Sequence, residues 1–376
     1  QTLGINARPV PQVRLALPEY WTLPFGNGWL HLKGHIAYGV MTDDNWQHDF
    51  TAKKSKYADN VLYHSKAGYL KIANEEVFCP WSFELGLEMV CLFGGTSYIP
   101  NDMGGIDKVD GGTGVKDYWK AFFPGGSDVI ESTYKNVQGD QLGSWVAKIK
   151  YSGDWHSFSI YADKFFEDHS SMFQLDYDGY GSGYEWQIRK KKKYLVYDVK
   201  DWMLGFEYNY NPNHWINDFV FEYLYTKYQS GPIYHDHTPA IPDHIGGKDD
   251  YYNHYIYPGY QHWGQVMGNP LYLSPIYDKN GDIYIGNNRF IAYHIGLSGR
   301  PTEFTTWRFL TTYQEGWGTY DAPYSKKRHN MSMLVETSYS FHKPNSHWLR
   351  GVTLRGRCGV DFGSILGGIN YGFQFV

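Results

Sequence analysis

The chain has no unbroken apolar run of about 18 residues, so it holds no transmembrane helix, and its mean hydropathy is −0.52. That absence does not exclude a membrane, because the strands of a barrel alternate and keep average hydropathy low. Cysteine is scarce. Cys79, Cys91 and Cys358 are odd in number and widely spaced, which supplies neither a disulfide framework nor a metal motif. The net charge of −5 over 376 residues leaves no footprint for nucleic acid. The one basic run, Arg189 followed by Lys190 to Lys193, reads as a solvated loop end, or as a contact for an acidic glycan or the phosphates of lipopolysaccharide. No leader precedes Gln1, so such a segment is expected to have been removed or to lie outside this stretch. A Gly-x-Ser-x-Gly elbow, a phosphate loop and a dinucleotide fingerprint are all missing. No enzyme and no cofactor is implied.

Aromatics and glycine are abundant: 35 Tyr, 14 Trp and 42 Gly set the chain apart from ordinary globular usage. The last residues, 366–376, place Ile369, Tyr371, Phe373 and Phe375 on one face and Asn370, Gly372 and Gln374 on the other. An exposed aromatic edge strand invites aggregation in water, whereas an outer-membrane barrel ends this way because its last strand faces lipid. The same period-two alternation recurs throughout. In 81–93, Trp81, Phe83, Leu85, Leu87, Met89, Cys91 and Phe93 oppose Ser82, Glu84, Gly86 and Glu88. Trp145, Ala147 and Ile149 likewise oppose Ser144, Lys148 and Lys150. Alternation alone fits either a sandwich with a solvated face or a barrel with an apolar outside. Length separates them, since many segments reach the roughly 9–11 residues that a tilted strand needs to cross a bilayer.

The expected fold is all-β: a transmembrane antiparallel β-barrel of the outer membrane, one domain over 1–376. Thirteen strands are expected, at 11–20, 28–41, 60–73, 81–93, 142–151, 155–167, 194–210, 216–228, 287–298, 302–314, 327–341, 347–361 and 366–376. Short connections (21–27, 74–80, 152–154, 211–214, 299–301, 342–346) alternate with mostly long ones (42–59, 94–141, 168–193, 229–286, 315–326), as periplasmic turns alternate with extracellular loops. Only 362–365 breaks the second set. The C-terminus is then periplasmic. Thirteen is odd, and single-chain bacterial barrels have even strand numbers, so upstream strands are expected to be missing from this stretch.

Asn6-Ala7-Arg8-Pro9-Val10-Pro11-Gln12, Leu17-Pro18-Glu19-Tyr20-Trp21, Phe83-Glu84-Leu85-Gly86-Leu87-Glu88, Tyr234-His235-Asp236-His237-Thr238, Asp250-Tyr251-Tyr252-Asn253 and Gly268-Asn269-Pro270-Leu271 form a set that runs along nearly the whole chain. As a set it resembles the capsule-assembly Wzi family of the Bacteroidetes type. The resemblance implies a barrel of about 18 strands that tethers capsular or exopolysaccharide at the cell surface. It also implies that this sequence starts mid-protein, about five strands in.

Loop 229–286 holds five of the 16 histidines (His235, His237, His244, His254, His262) together with Asp236, Asp243, Asp249 and Asp250. His-Asp-His supplies only two ligands on one side of an extended segment, so no metal is assigned. The preferred reading is that these groups hydrogen-bond one another to hold a long loop in one shape. Asp278 to Asp282 resembles a calcium loop but has Arg289 where the closing Glu belongs. The candidate carbohydrate-binding set is Trp119, His235, Asp236, His237, Tyr251, Tyr252, Tyr260 and Trp263: aromatic faces to stack on sugar rings and polar groups for hydroxyls. The bland alternative for the aromatics is a girdle at the bilayer interface. Segment 115–123 reads as a short amphipathic helix that folds into the lumen as a plug.

The functional expectation is therefore a non-enzymatic barrel binding surface polysaccharide, with outer-membrane lipid and lipopolysaccharide as its surroundings. A rival is a channel that uses Lys33, Glu84, Glu88, Lys148, Lys150, Arg355 and Arg357. A third class is a structural subunit whose loops meet protein partners in a surface complex.

Overall fold

Alternating side chains, with few interior prolines, let each long segment bury one face and pair its backbone groups with its neighbours. In the computed structural model, which describes residues 2–74, 77, 79–123, 140–167, 172–173, 175–177, 179–194, 200–234, 238–240, 245–341 and 351–376, thirteen strands form one antiparallel sheet. They are β1 Gln12–Thr22, β2 Leu30–Val40, β3 Leu62–Ile72, β4 Trp81–Phe93, β5 Asp140–Ser152, β6 His156–Glu167, β7 Trp202–Tyr210, β8 Asp218–Tyr225, β9 Phe290–Thr302, β10 Thr305–Gly318, β11 Pro323–Ser340, β12 Thr353–Gly363 and β13 Gly368–Phe375. Each pairs with the strands before and after it, a pure meander. Among the described residues the edges β1 and β13 make no ladder with each other, so the sheet is open. The longer connections include the α-helices α1 Trp46–Thr51 and α2 Val115–Phe122. Among the described residues no helix is long and apolar enough to cross a membrane.

All thirteen expected strands correspond to strands of this sheet, and 81–93 has the expected bounds. Two differences matter. Residues 315–326 are not a loop: β10 and β11 run on through Gly318 and from Pro323, leaving a turn of 319–322. The strand expected at 194–210 starts at Trp202, and Lys192–Tyr194 pairs instead with Leu175–Tyr177 in a separate small ribbon.

Register assigns every side chain to a face, because directly opposed residues in an antiparallel pair point the same way. Leu70 opposes Leu85, which opposes Ala147; Glu84 opposes Lys148 on the other side. One face is aliphatic and aromatic along the sheet, with Leu32, Leu70, Leu85, Ile149, Ile160, Leu204, Ile295 and Val335 all exposed on it. The other, here called the inner face, carries the charged residues and the main apolar cluster of the protein.

Candidate functional site

The inner face is filled at the end of the sheet where the long connections lie. Segment 249–286 folds across it. Tyr251, Tyr252, Tyr260, Val266, Tyr272 and Ile285 are all at 0% exposure and pack against Val90, Leu92, Leu142, Phe165 and Phe290 of the strands. A buried tyrosine needs a partner for its hydroxyl, and most of these have one. Tyr260 Oη donates to the Val90 carbonyl (3.1 Å), Tyr251 Oη to Asp201 Oδ2 (3.2 Å) and Tyr252 Oη to the Thr2 carbonyl (2.9 Å). The Tyr252 amide donates to Glu167 Oε1 at 3.2 Å. Burial, with these carboxylates close by, holds the hydroxyls of Tyr251 and Tyr252 well above the usual tyrosine range. Gly268 makes the packing possible, since a Cβ there would stand 2.1 Å from Tyr252 Oη.

Residues 2–10 belong to the same body. The Gly4 amide donates to the Met267 carbonyl (2.7 Å), Asn6 Nδ2 to the Val266 carbonyl (3.0 Å), and Thr2 Oγ1 lies 2.7 Å from Ser144 Oγ. His262, almost fully buried, bridges the two parts: its ring nitrogens lie 2.8 Å from the Arg8 carbonyl oxygen and 2.6 Å from that of Thr42. His254 is also structural. Its Nδ1 accepts from the amides of Ile256 and Tyr257, both at 3.1 Å. Burial, with the Lys56 ammonium nearby, pushes it down to about 3. Asp250 is raised by burial although Asn288 Nδ2 and Tyr284 Oη (3.2 Å) donate to it. These groups thus help to fix the loop, but through backbone amides, Tyr284, Asn288 and the Arg8 and Thr42 carbonyls, and not through the bonds to one another that the sequence suggested.

Below this plug lies a polar chamber of about 380 Å³, with Asn269 and Leu271 of the plug in its lining. Its ionic groups find partners across the sheet, one of them an ion pair and the others tyrosines. Glu207 accepts from Lys148 Nζ (3.0 Å) and Ser159 Oγ (2.7 Å), Glu222 from Tyr161 Oη (2.6 Å), Glu84 from Tyr20 Oη (2.9 Å), and Glu88 from Tyr69 Oη. Lys33 Nζ sits 4.8 Å and 4.7 Å from the Tyr20 and Tyr69 ring centres. Farther along the sheet, Glu336 takes both Arg308 Nη2 (3.3 Å) and Arg357 Nε.

The helix expected in the lumen is on the other side. α2 forms within one residue of the expected 115–123, but it docks on the outer face of β2, β3 and β4. Parity in β4 decides this. Val90 and Leu92 point in and join the plug cluster, whereas Cys91 and Phe93 point out and hold Ala121, at 1% exposure, with Tyr38 and Leu62. The outward Lys66 then donates from Nζ to the carbonyls of Ala121 (3.5 Å) and Phe122 at the helix C-terminus. That end carries negative partial charge. The inner face is packed by 249–286 and not by 115–123.

The structure separates the candidate carbohydrate-binding residues. Tyr251, Tyr252 and Tyr260 are interior, and a ring without exposed surface offers no stacking face; they are corrected from ligand contacts to plug core. Trp263 is half-buried with the Arg8 guanidinium 4.2 Å over its ring, on the plug. Trp119 is 66% exposed, on α2, against the outer face. His235, Asp236 and His237 lie outside the described residues. Among the described residues no three His, Cys, Asp or Glu side chains gather as a metal would need. The sequence reading missed Lys66, Glu167, Asp201 and Tyr272. A signal for Lys66 existed: with His64 it interrupts the apolar outer face of β3. Glu167 and Asp201 show through partners distant in sequence, Tyr252 85 residues and Tyr251 50 residues away. The chain matches no protein-family model, and no curated protein matches it in sequence.

Proposed function

We propose that this chain forms wall and plug of an outer-membrane β-barrel that retains capsular or exopolysaccharide at the cell surface, without catalysis, through the rim where its long connections lie. One observation carries the reading. The two faces of the same thirteen strands differ: the inner face carries the charged groups and is packed at one end by 249–286 and 2–10, while among the described residues the outer face stays apolar and largely exposed. A large apolar surface calls for a non-aqueous partner, and strands of 8 to 18 residues suit a bilayer core. The plug weighs against the channel, since 249–286 and 2–10 occupy the inner face at one end. It also restricts sugar contacts to what the rim leaves outside. Trp263 beside Arg8 supplies an aromatic face and a cation there, and His235, Asp236 and His237 supply polar groups by sequence position.

The full chain reconstituted in lipid discs, mixed with purified capsule from the same cells, tests this. Retention of the polysaccharide, weakened about tenfold by Trp263→Ala with His235→Ala and His237→Ala, is expected. No retention, together with a steady conductance in planar bilayers, overturns the reading in favour of a channel.

A further inference from the structure

Among the described residues chain returns to the outer face at 172–173, where the outward Trp145 Nε1 donates to the Met172 carbonyl (2.9 Å) and its ring lies 6.0 Å from that of Phe173, and at α2. The helix is docked by one stripe. Tyr118 has its ring 5.1 Å from Phe93 and 5.3 Å from Tyr38, Tyr38 Oη donates to the Tyr118 carbonyl at 3.1 Å, and the Phe122 ring is 5.7 Å from that of His64. The rest of the helix is largely exposed among the described residues. Val115 is 88%, Trp119 66% and Phe123 51% exposed. Trp119, Phe122 and Phe123 form one aromatic group, with Phe123 4.8 Å from Trp119 and 4.7 Å from Phe122. It sits at the helix end held by Lys66, four residues farther into β3 than Leu62.

The charges have an equally definite place. Lys116 and Lys120 are four residues apart, hence on one stripe, and at 3.6 residues per turn that stripe lies opposite Tyr118 and Ala121. Both are exposed. Asp117, the only acid of the helix, has its Oδ2 taken by the Gly114 amide at 2.9 Å. The surface left free on α2 is therefore aromatic on one flank and cationic on its far side, continuous with the apolar outer face of the sheet.

We propose that α2 is an interfacial anchor: Trp119 and Phe123 enter the outer leaflet beside the barrel wall, and Lys116 and Lys120 meet the phosphates of anionic lipid. Amphipathic helices with lysines on the polar face and Trp or Phe on the other bind membrane surfaces in this way. The inference rests on the barrel reading and moves Trp119 from a sugar contact to a lipid contact.

The full chain in lipid vesicles tests it, with the emission of Trp119 isolated as the difference between the protein and its Trp119→Phe variant. Lipids brominated near the headgroup are expected to quench that difference at least about twofold. Anionic brominated lipid should quench more than zwitterionic, and Lys116→Gln with Lys120→Gln should remove that excess. Added capsule polysaccharide should leave the difference unchanged. Trp81, outward at the opposite end of β4, gives an internal standard through Trp81→Phe. Quenching of Trp81 but not of Trp119, or a response of Trp119 to polysaccharide instead of lipid, overturns the anchor and leaves the barrel standing. Quenching of neither overturns the barrel reading itself.

Discussion

Two excursions from the same sheet can be set side by side. Segment 249–286 turns to the inner face and disappears into a core where five tyrosines, 251, 252, 257, 260 and 272, have at most 1% of their surface exposed. Helix α2 turns to the outer face and buries one small side chain fully, Ala121. The strands beneath are the same; Val90 and Leu92 serve one, Cys91 and Phe93 the other. The contrast teaches that position along a strand modulo two decides between a closed, hydrogen-bonded core and a half-covered strap. The strap stays half-covered because its remaining surface has another use.

The sharpest way to break this contrast is at the plug. Tyr252 packs on Tyr260 and Tyr272, and its hydroxyl and amide are tied to Thr2 and Glu167. Tyr252→Ala should cost about 3–5 kcal/mol, the range for deleting a buried aromatic. Denaturant unfolding of the plug, followed by protease cutting within 249–286, reads it; α2 should keep its protection. Equal loss at both segments would mean that plug and strap are one cooperative unit.

Acid should act on the plug more than on the strap. His254 is neutral in the fold down to about pH 3 and ordinary, near 6.5, in the unfolded chain. Its stability contribution is complete above about pH 6.5. As pH falls the unfolded state takes up a proton that the folded state refuses, so stability drops by about 1.4 kcal/mol per pH unit until about pH 3. Asp250 runs the other way: its raised value favours the fold when protonated, and this offsets part of the loss at the acid end. Urea titrations at pH 7.5 and 4.5 should differ by about 3 kcal/mol more in the protein than in His254→Gln. The glutamine amide does not titrate. An unchanged difference in the variant removes His254 from the account.

The strap should break alone. Ala121→Glu forces a carboxylate and extra volume against Cys91 and Phe93 and should cost about 1–3 kcal/mol of docking. Hydrogen exchange at 115–122 reports it, with 249–286 unmoved. A loss of plug protection in this variant would contradict the separation of the two faces.

The wall was legible in the chain and the plug was not. The strands show because every second residue is apolar over eight or more positions, a signal that needs no partner. The plug carries no such period. Residues such as Asp250, His254 and Tyr260 look like polar loop until their partners are known, and the Tyr260 hydroxyl meets the Val90 carbonyl across 170 positions. That is why Tyr251, Tyr252 and Tyr260 read as sugar-stacking faces. The amphipathic pattern of 115–122 showed a helix but could not say which face receives it, because a helix period does not reveal the parity of the strand it will meet. The interruption of the β3 outer face by His64 and Lys66 was the one local clue. On the barrel reading proposed above, a lysine aimed at lipid would cost about 2–4 kcal/mol at mid-bilayer and less near the interface, which agrees with its place under a helix end.

The smallest effect is expected in the chamber beneath the plug. Glu207 accepts from Lys148 and Ser159, yet the Lys148 and Glu207 side chains keep 36% and 43% of their surface. Water screens such a pair, and its net worth is about 0–1 kcal/mol. Glu207→Gln retains the hydrogen-bond acceptor for Ser159 and removes only charge, so unfolding should move by less than about 1 kcal/mol. If it moves more, the chamber is drier than its lining implies, and the inner face is stabilised by its ion pairs as well as by the tyrosine core above them. If it does not, the inner face is held from the end packed by 249–286 alone, and its charges remain free to set the electrostatics of that face without setting its stability.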